Sequence, residues 1–202
     1  MIEFDEKSGK KDTVKFRETL DKYNYGPDKQ SLGERKEFEF FKVKEGQFYK
    51  GQKSLEFGIF HGYGVYVWPD GAIYEGWFNN GKKHGKGRYI FPDCAYYSGD
   101  WAMGERKGKG THVLANGDKY QGDFEGNKFN GNGVYTWTDG RVYKGTFKNG
   151  KRDGYAEFYY PNGDVYKGEM RNNKLHGKGK YISSDGTVIQ GTWKDDEFYE
   201  NE

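Results

Sequence analysis

A tyrosine with glycine two residues later recurs at Tyr74, Tyr97, Tyr120, Tyr143 and Tyr166, each copy 23 residues from the last. A period of this length marks a repeat architecture, in which one small unit buries its apolar side only by stacking on the next copy. Ile189 with Gly191 keeps the register after the last tyrosine. Tyr49 opens an earlier unit that is two residues longer, the extra length lying between Gly51 and His61. A second glycine pair recurs inside each unit, at Gly62/Gly64, Gly85/Gly87, Gly108/Gly110, Gly131/Gly133, Gly154/Ala156 and Gly177/Gly179. A turn glycine follows at Gly71, Gly117, Gly140, Gly163 and Gly186, with Cys94 in its place once.

Each unit reads as a β-hairpin. "YEGWF" puts Tyr74, Gly76 and Phe78 on one face, and "GKGRYIF" does the same for Gly85, Gly87, Tyr89 and Phe91, the period-two pattern of strands. The composition agrees: 32 glycines, 18 tyrosines and 15 phenylalanines stand in a chain only 33% hydrophobic, too poor in aliphatics for a large helical core. "PDG", "ANG", "TDG", "PNG" and "SDG" between units carry the Asp-Gly and Asn-Gly signals of tight turns, and segments such as "NNGKKH" read as longer loops within units. Glycine has no Cβ, so a ring from a neighbouring strand can lie flat over it. Phe41 and Val43 match Tyr89 and Phe91, which makes residues 37–44 a leading cap strand. "KDDEFYENE" ends the pattern, and fourteen strands result.

The unit "YEGWFNNGKKHGKG" resembles the MORN (membrane occupation and recognition nexus) repeat, and the resemblance extends over residues 37–193. It implies an all-β fold: an elongated, twisted, single-layer antiparallel β-meander. The domain division that follows is an irregular N-terminal arm at 1–36 and a repeat array at 37–202. Within the array, a half-repeat cap covers 37–48, six full repeats cover 49–188, and a half-repeat with an acidic tail covers 189–202. Similarity to radial spoke head and other cytoskeletal repeat proteins implies a non-enzymatic scaffold in a large assembly, with the ciliary or flagellar axoneme as the preferred setting. The family's phosphoinositide-kinase members supply the alternative, a peripheral membrane module that binds anionic phospholipids. No kinase or methyltransferase segment accompanies the repeats.

Catalytic and cofactor chemistry find no constellation. His61, His84 and His176 share one repeat position, and units two strands apart hold them about 10 Å from one another. Zinc ligands converge within about 2 Å of one ion, so these histidines cannot share it. His112 falls where other units carry tyrosine and reads as a packing variant. "GKKHGKG" lacks the spacing, the hydroxyl and the following helix of a phosphate loop. Ser98, Ser183 and Ser184 have no His/Asp partners, and Cys94, the single cysteine, excludes a disulfide framework within the chain. No enzyme, cofactor, metal or nucleic-acid partner is expected, the last because the formal charge is only +2. With no signal peptide and no apolar span of membrane length, the expected location is cytoplasmic.

Three sets of residues are candidates for contact. The loops within units carry a net positive charge at Lys82, Lys83, Lys86, Arg106, Lys107, Lys151, Arg152, Arg171 and Lys174, a candidate basic edge for acidic partners or anionic lipid. Asp70, Asp93, Asp139 and Asp185 set negative charge along the opposite edge. Tyr74, Phe78, Tyr89, Phe91, Tyr97, Trp101, Tyr120, Phe124, Tyr135, Trp137, Tyr143, Phe147 and Trp193 form a candidate aromatic face for protein partners. Phe16, Leu20, Tyr23 and Tyr25 in the arm are candidate docking residues, the arm being either a disordered tail or a segment that orders on a partner. Edge strands at both ends open a route to self-association.

Overall fold

The computed structural model describes residues 17–20, 35–44, 46–54 and 56–199, with backbone alone for 35–41. The alternation around each Tyr-x-Gly produces strands along nearly all of this length. They are β1 (Arg35–Lys44), β2 (Gln47–Ser54), β3 (Phe60–Val67), β4 (Ile73–Asn79), β5 (Lys82–Ile90), β6 (Tyr96–Ala102) and β7 (Glu105–Val113). Then follow β8 (Lys119–Glu125), β9 (Lys128–Thr136), β10 (Val142–Lys148), β11 (Lys151–Tyr159), β12 (Val165–Arg171), β13 (Lys174–Ile182), β14 (Val188–Lys194) and β15 (Glu197–Tyr199). The fold is an antiparallel meander, one open sheet of 15 strands hydrogen-bonded in chain order. Two compact units divide within β7: Met1–Gly108 with His112–Ala115, and Lys109–Thr111 with Asn116–Glu202.

In both units the core is a lock between tyrosine and glycine. Tyr49, Tyr74, Tyr97, Tyr120, Tyr143 and Tyr166 are fully buried. Each hydroxyl donates to the backbone carbonyl three residues on: Gln52, Trp77, Asp100, Asp123, Thr146 and Glu169, at 2.6 to 2.9 Å. To reach it, the ring lies over the glycine of its own strand and the glycine paired across from it. A Cβ at Gly87 would stand 2.3 Å from the Tyr74 hydroxyl, and one at Gly133 would stand 2.5 Å from Tyr120 Cε2. For Gly87 and Gly133 the covering ring comes from the neighbouring strand, as the sequence pattern suggested, and the same ring also covers the glycine of its own strand, such as Gly76. A second aromatic stands edge-on to each tyrosine, as Phe78 does to Tyr74 at 5.0 Å and Phe124 to Tyr120 at 5.1 Å. The same ring meets the tyrosine of the preceding repeat, as Phe78 meets Tyr49 at 5.6 Å and Phe147 meets Tyr120 at 5.0 Å. Each edge-to-face pair adds roughly 0.5–1.5 kcal/mol beyond its burial.

The first glycine of each second pair has a different task. Gly62, Gly85, Gly108, Gly131, Gly154 and Gly177 all have φ between +62° and +101°. They sit in a bulge: Gly76 pairs with Gly87 and Trp77 with His84, so β5 holds two more residues than β4 over that step. A Cβ on Gly85 would approach Trp77, on the face away from Tyr74. Gly85 therefore does not share a face with Gly87, as the sequence pattern suggested. It supplies a left-handed backbone that most side chains resist.

The turns also reverse the expected order of lengths. Hairpins within repeats close through two residues, both with positive φ: Asn80–Gly81, Met103–Gly104, Gly126–Asn127, Asn149–Gly150, Asn172–Asn173 and Asp195–Asp196. These are the tight turns whose twist suits a hairpin. The first repeat departs, with its longer link between β2 and β3. Connections between repeats are the longer ones, residues 91–95 being an example. There the aspartate or asparagine accepts from the N–H two residues on, as Asp70 does from Ala72, Asp93 from Ala95 and Asp139 from Arg141. These aspartates are first of all turn builders. The acidic tail likewise does not stop the sheet, because Asp195–Asp196 makes the next hairpin turn and Phe198 pairs with Trp193 in a fifteenth strand.

Gly133→Val puts branched carbon into the Tyr120 ring and lowers stability in urea unfolding by about 1–3 kcal/mol. Ala156→Gly, at the one equivalent site that already carries a methyl, changes it by no more than about 1 kcal/mol. Equal costs at the two sites are incompatible with the lock.

Candidate functional site

One position of the repeat, two residues before the bulge glycine, decides how much of the predicted basic edge faces solvent. Its occupants are Phe60, Lys83, Arg106, Phe129, Arg152, Leu175 and Phe198. Phe60 stacks on Tyr49 with centroids 4.0 Å apart, and Phe129 stacks on Tyr120 at 3.8 Å. Cations at the same position take the same place over the rings. Lys83 Nζ lies 4.3 Å from the Trp101 centroid and 4.4 Å from that of Tyr89. Arg106 lies over Tyr97 at 5.6 Å, and Arg152 over Phe158 at 5.2 Å and Tyr143 at 5.7 Å. Burial, with the Arg106 charge adding to it, lowers the Lys83 pKa to about 8, while the surrounding ring faces work in the opposite direction. Lys83, Arg106 and Arg152 therefore belong to the aromatic layer and not to a solvated edge.

The rest of the basic set separates further. Lys86 pairs with Asp100 at 2.5 Å. Lys82, Lys107, Lys151, Arg171 and Lys174 are exposed at the turn ends of their strands. Lys151 and Arg171 share a cleft with Lys148, and Asp153 and Glu169 line the same cleft with opposite charge.

Much of the candidate aromatic face is interior. Tyr74, Tyr97, Tyr120 and Tyr143, with Phe78, Trp101, Phe124 and Phe147, are at most 5% exposed. Partly exposed rings remain at Tyr89, Phe91, Tyr135, Trp137 and Trp193. Tyr135 and Tyr181, two repeats apart at one repeat position, carry a further bond that the sequence reading missed. Tyr135 donates to Asp118 at 3.1 Å, and Tyr181 donates to Asp164 at 2.6 Å. Burial works against the Asp118 charge, but the Thr138, Asn116 and Tyr135 donors hold its carboxyl below the usual range. Its signal in the sequence was an aspartate directly after the turn glycine, repeated at Asp164.

Of the candidate docking residues, Leu20 lies in the described turn that begins at Arg17, and Phe16, Tyr23 and Tyr25 lie outside the described residues. Arg17 Nε donates to Glu75 Oε2 at 2.6 Å, and Arg88 Nη1 approaches Glu75 Oε1 at 3.6 Å. Glu75 and Arg88 are buried here, on the sheet face opposite the aromatic one.

The histidines separate as well. His61 Nδ1 accepts from the Asn80 N–H at 3.4 Å, whereas the buried Nδ1 atoms of His84 and His176 have no hydrogen-bond partner. His112 packs against Phe91 at 5.8 Å, in a tyrosine's place. Among the described residues no group of three or more His, Cys, Asp or Glu could hold a metal ion, and no helix is long and apolar enough to cross a membrane.

These features define a β-meander repeat protein whose unit is a tyrosine-locked hairpin. The MORN repeat model matches residues 55–73, 74–93, 97–119, 120–140, 143–165 and 166–188, and the chain belongs to that family. The MORN repeat is a non-catalytic module that mediates protein or lipid interactions. No curated protein sequence matches the chain. Among solved structures, the SAS-4 (dCPAP) TCP domain of Drosophila melanogaster, in complex with a proline-rich motif of Ana2, is 14% identical with a TM-score of 0.43. That match covers 65% of this chain and 73% of the other. A catalytically inactive virginiamycin B lyase from Staphylococcus aureus with quinupristin is 10% identical over 81% of this chain and 72% of that one, with a TM-score of 0.22. Superpositions this loose carry nothing about function.

Burial first, then the Arg106 charge, pull the His112 pKa down to about 4, with Asp93 pulling the other way. An unfolded histidine takes its proton near pH 6.5. The folded chain therefore binds fewer protons than the unfolded one between those values, and stability falls as pH drops through that window. His112→Phe, which copies Phe158 of another repeat, removes this loss. Urea midpoints at pH 7 and pH 4.5 check it: the gap between them shrinks in the variant.

Proposed function

We propose that the protein is a non-enzymatic structural scaffold or adaptor in a cytoskeletal assembly. The ciliary or flagellar axoneme is the setting, with a place of the radial spoke type within it, and the cytoplasm is the compartment. The observation that carries the reading is the repetition of the tyrosine lock. It consumes the aromatic residues that could have built a substrate pocket and presents hairpin turns at regular spacing instead. Those turns expose Lys82 in the first unit and Lys151, Arg171 and Lys174 in the second, cations suited to acidic protein surfaces. The edge strands β1 and β15, first and last in the sheet, add a second means of association.

The protein is expected to cofractionate with axonemes and to stay with them through mild detergent. Complete release by that treatment overturns the axonemal setting.

The same exposed cations favour the alternative of an anionic-lipid module. Sedimentation with phosphatidylserine vesicles at low and raised salt separates the two. Moderate salt abolishes binding that rests on spread surface charge alone, and binding that survives it favours the membrane reading.

A further inference from the structure

The face opposite the tyrosines carries two rows that run across the strands. In the second unit the apolar row follows the pairings Val142 with Tyr159, Tyr159 with Val165, Val165 with Ile182, and Ile182 with Val188. Beside it runs a charged row, Lys144 with Glu157, Glu157 with Lys167, and Lys167 with Lys180. The first unit has the same two rows, centred on Ile73 paired with Ile90 and Glu75 paired with Arg88.

Coverage distinguishes them. Ile73 and Ile90 are at most 2% exposed, and the Glu75 and Arg88 side chains only 5% and 8%. The described turn at Arg17 reaches this place and binds Glu75. In the second unit Glu157 and Lys167 are 33% and 39% exposed, Val188 is 48% exposed, and Lys144 faces solvent. The charge also differs. In the first unit Glu75 receives two guanidiniums, from Arg17 and from its row neighbour Arg88. In the second, Glu157 is already bound by Lys167 at 2.8 Å, which leaves the row positive through Lys144 and Lys180.

We propose that this open face of β10 to β14 docks an amphipathic helix of a protein partner, with carboxylates along one flank. This deepens the protein-binding reading given above and rests on it. The spacing fits a helix laid across the strands, since strands about 4.8 Å apart meet successive helical turns of about 5.4 Å. Five strands span about 19 Å, the length of about 13 helical residues. Charge selects the occupant. The chain's own Arg17 segment, matched to Glu75, meets lysines here, whereas a helix bearing glutamates meets complementary charge.

The probe is a labelled 14-residue helical peptide with leucines on one face and glutamates on the other, titrated into the full chain by fluorescence anisotropy. Binding is expected, and Lys144→Glu with Lys180→Glu together weaken it about tenfold or more. Lys128→Glu, an exposed position on β9 outside the docking strands, leaves it unchanged. Amide shifts on binding fall on β10 to β14. Absence of binding at about 1 mM peptide, equal binding of a lysine-for-glutamate peptide, or shifts confined to the aromatic face overturns the proposal. Circular dichroism confirms that the Lys144/Lys180 variant keeps its fold. The titration uses purified protein, so its failure beside a detergent-resistant axonemal fraction removes the docking row alone. Peptide binding by a protein released from axonemes removes the axonemal setting alone.

Discussion

The hydrogen bond from each buried tyrosine to the carbonyl three residues on constrains everything else in this fold. To make it, a six-membered ring must lie flat against two paired strands, and only backbone without side chains leaves room. The glycines at positions such as Gly87 and Gly133 follow from that contact. Beside that contact the second strand bulges by two residues, and Gly85 and its equivalents hold a left-handed conformation there. Among the described residues this open sheet has no second sheet layer packed on it to bury its apolar groups. The lock replaces that layer with rings from the sheet itself, and edge-to-face contacts with the rings of the next repeat carry the packing forward.

That economy shapes what the surface can do. Rings at the tyrosine position and its edge-on partner are sealed, so the aromatic face offers only its margin to a partner. Lys83, Arg106 and Arg152 are drawn over the rings, because a cation there gains a favourable contact at the place where Phe60 and Phe129 stack in other repeats. The outward charge is smaller and more scattered than the count of basic residues suggests. Recognition then depends on where the repeats differ. The opposite face offers the clearest such difference, buried around Glu75 in the first unit and open around Lys167 in the second.

Much of the fold was legible in the sequence because its determinants are local and repeated. The 23-residue period, the alternation in "YEGWF" and the missing side chain at Gly76 and Gly87 point to paired strands without knowledge of anything distant. The errors were also local in origin. Asn80–Gly81 and Pro92–Asp93 both read as turns, but composition alone did not assign the two-residue closure to the first and the longer link to the second. Asp195–Asp196 read as a charged ending, although aspartate tolerates the left-handed backbone of a hairpin turn and Phe198 follows where Phe129 stands in its own repeat.

The sequence by itself determined the repeat, the antiparallel meander and the residues of the tyrosine lock, since each depends on contacts within one hairpin or between adjacent ones. Only the tertiary structure decided which of the chemically similar residues are inside. Lys82 and Lys83 are neighbours in the chain, yet a strand sends successive side chains to opposite faces, so one meets water and the other four aromatic rings. The burial of Glu75 beside the exposure of Lys144, at the same repeat position, depends on a segment far away in sequence, and no periodicity within the repeats encodes it.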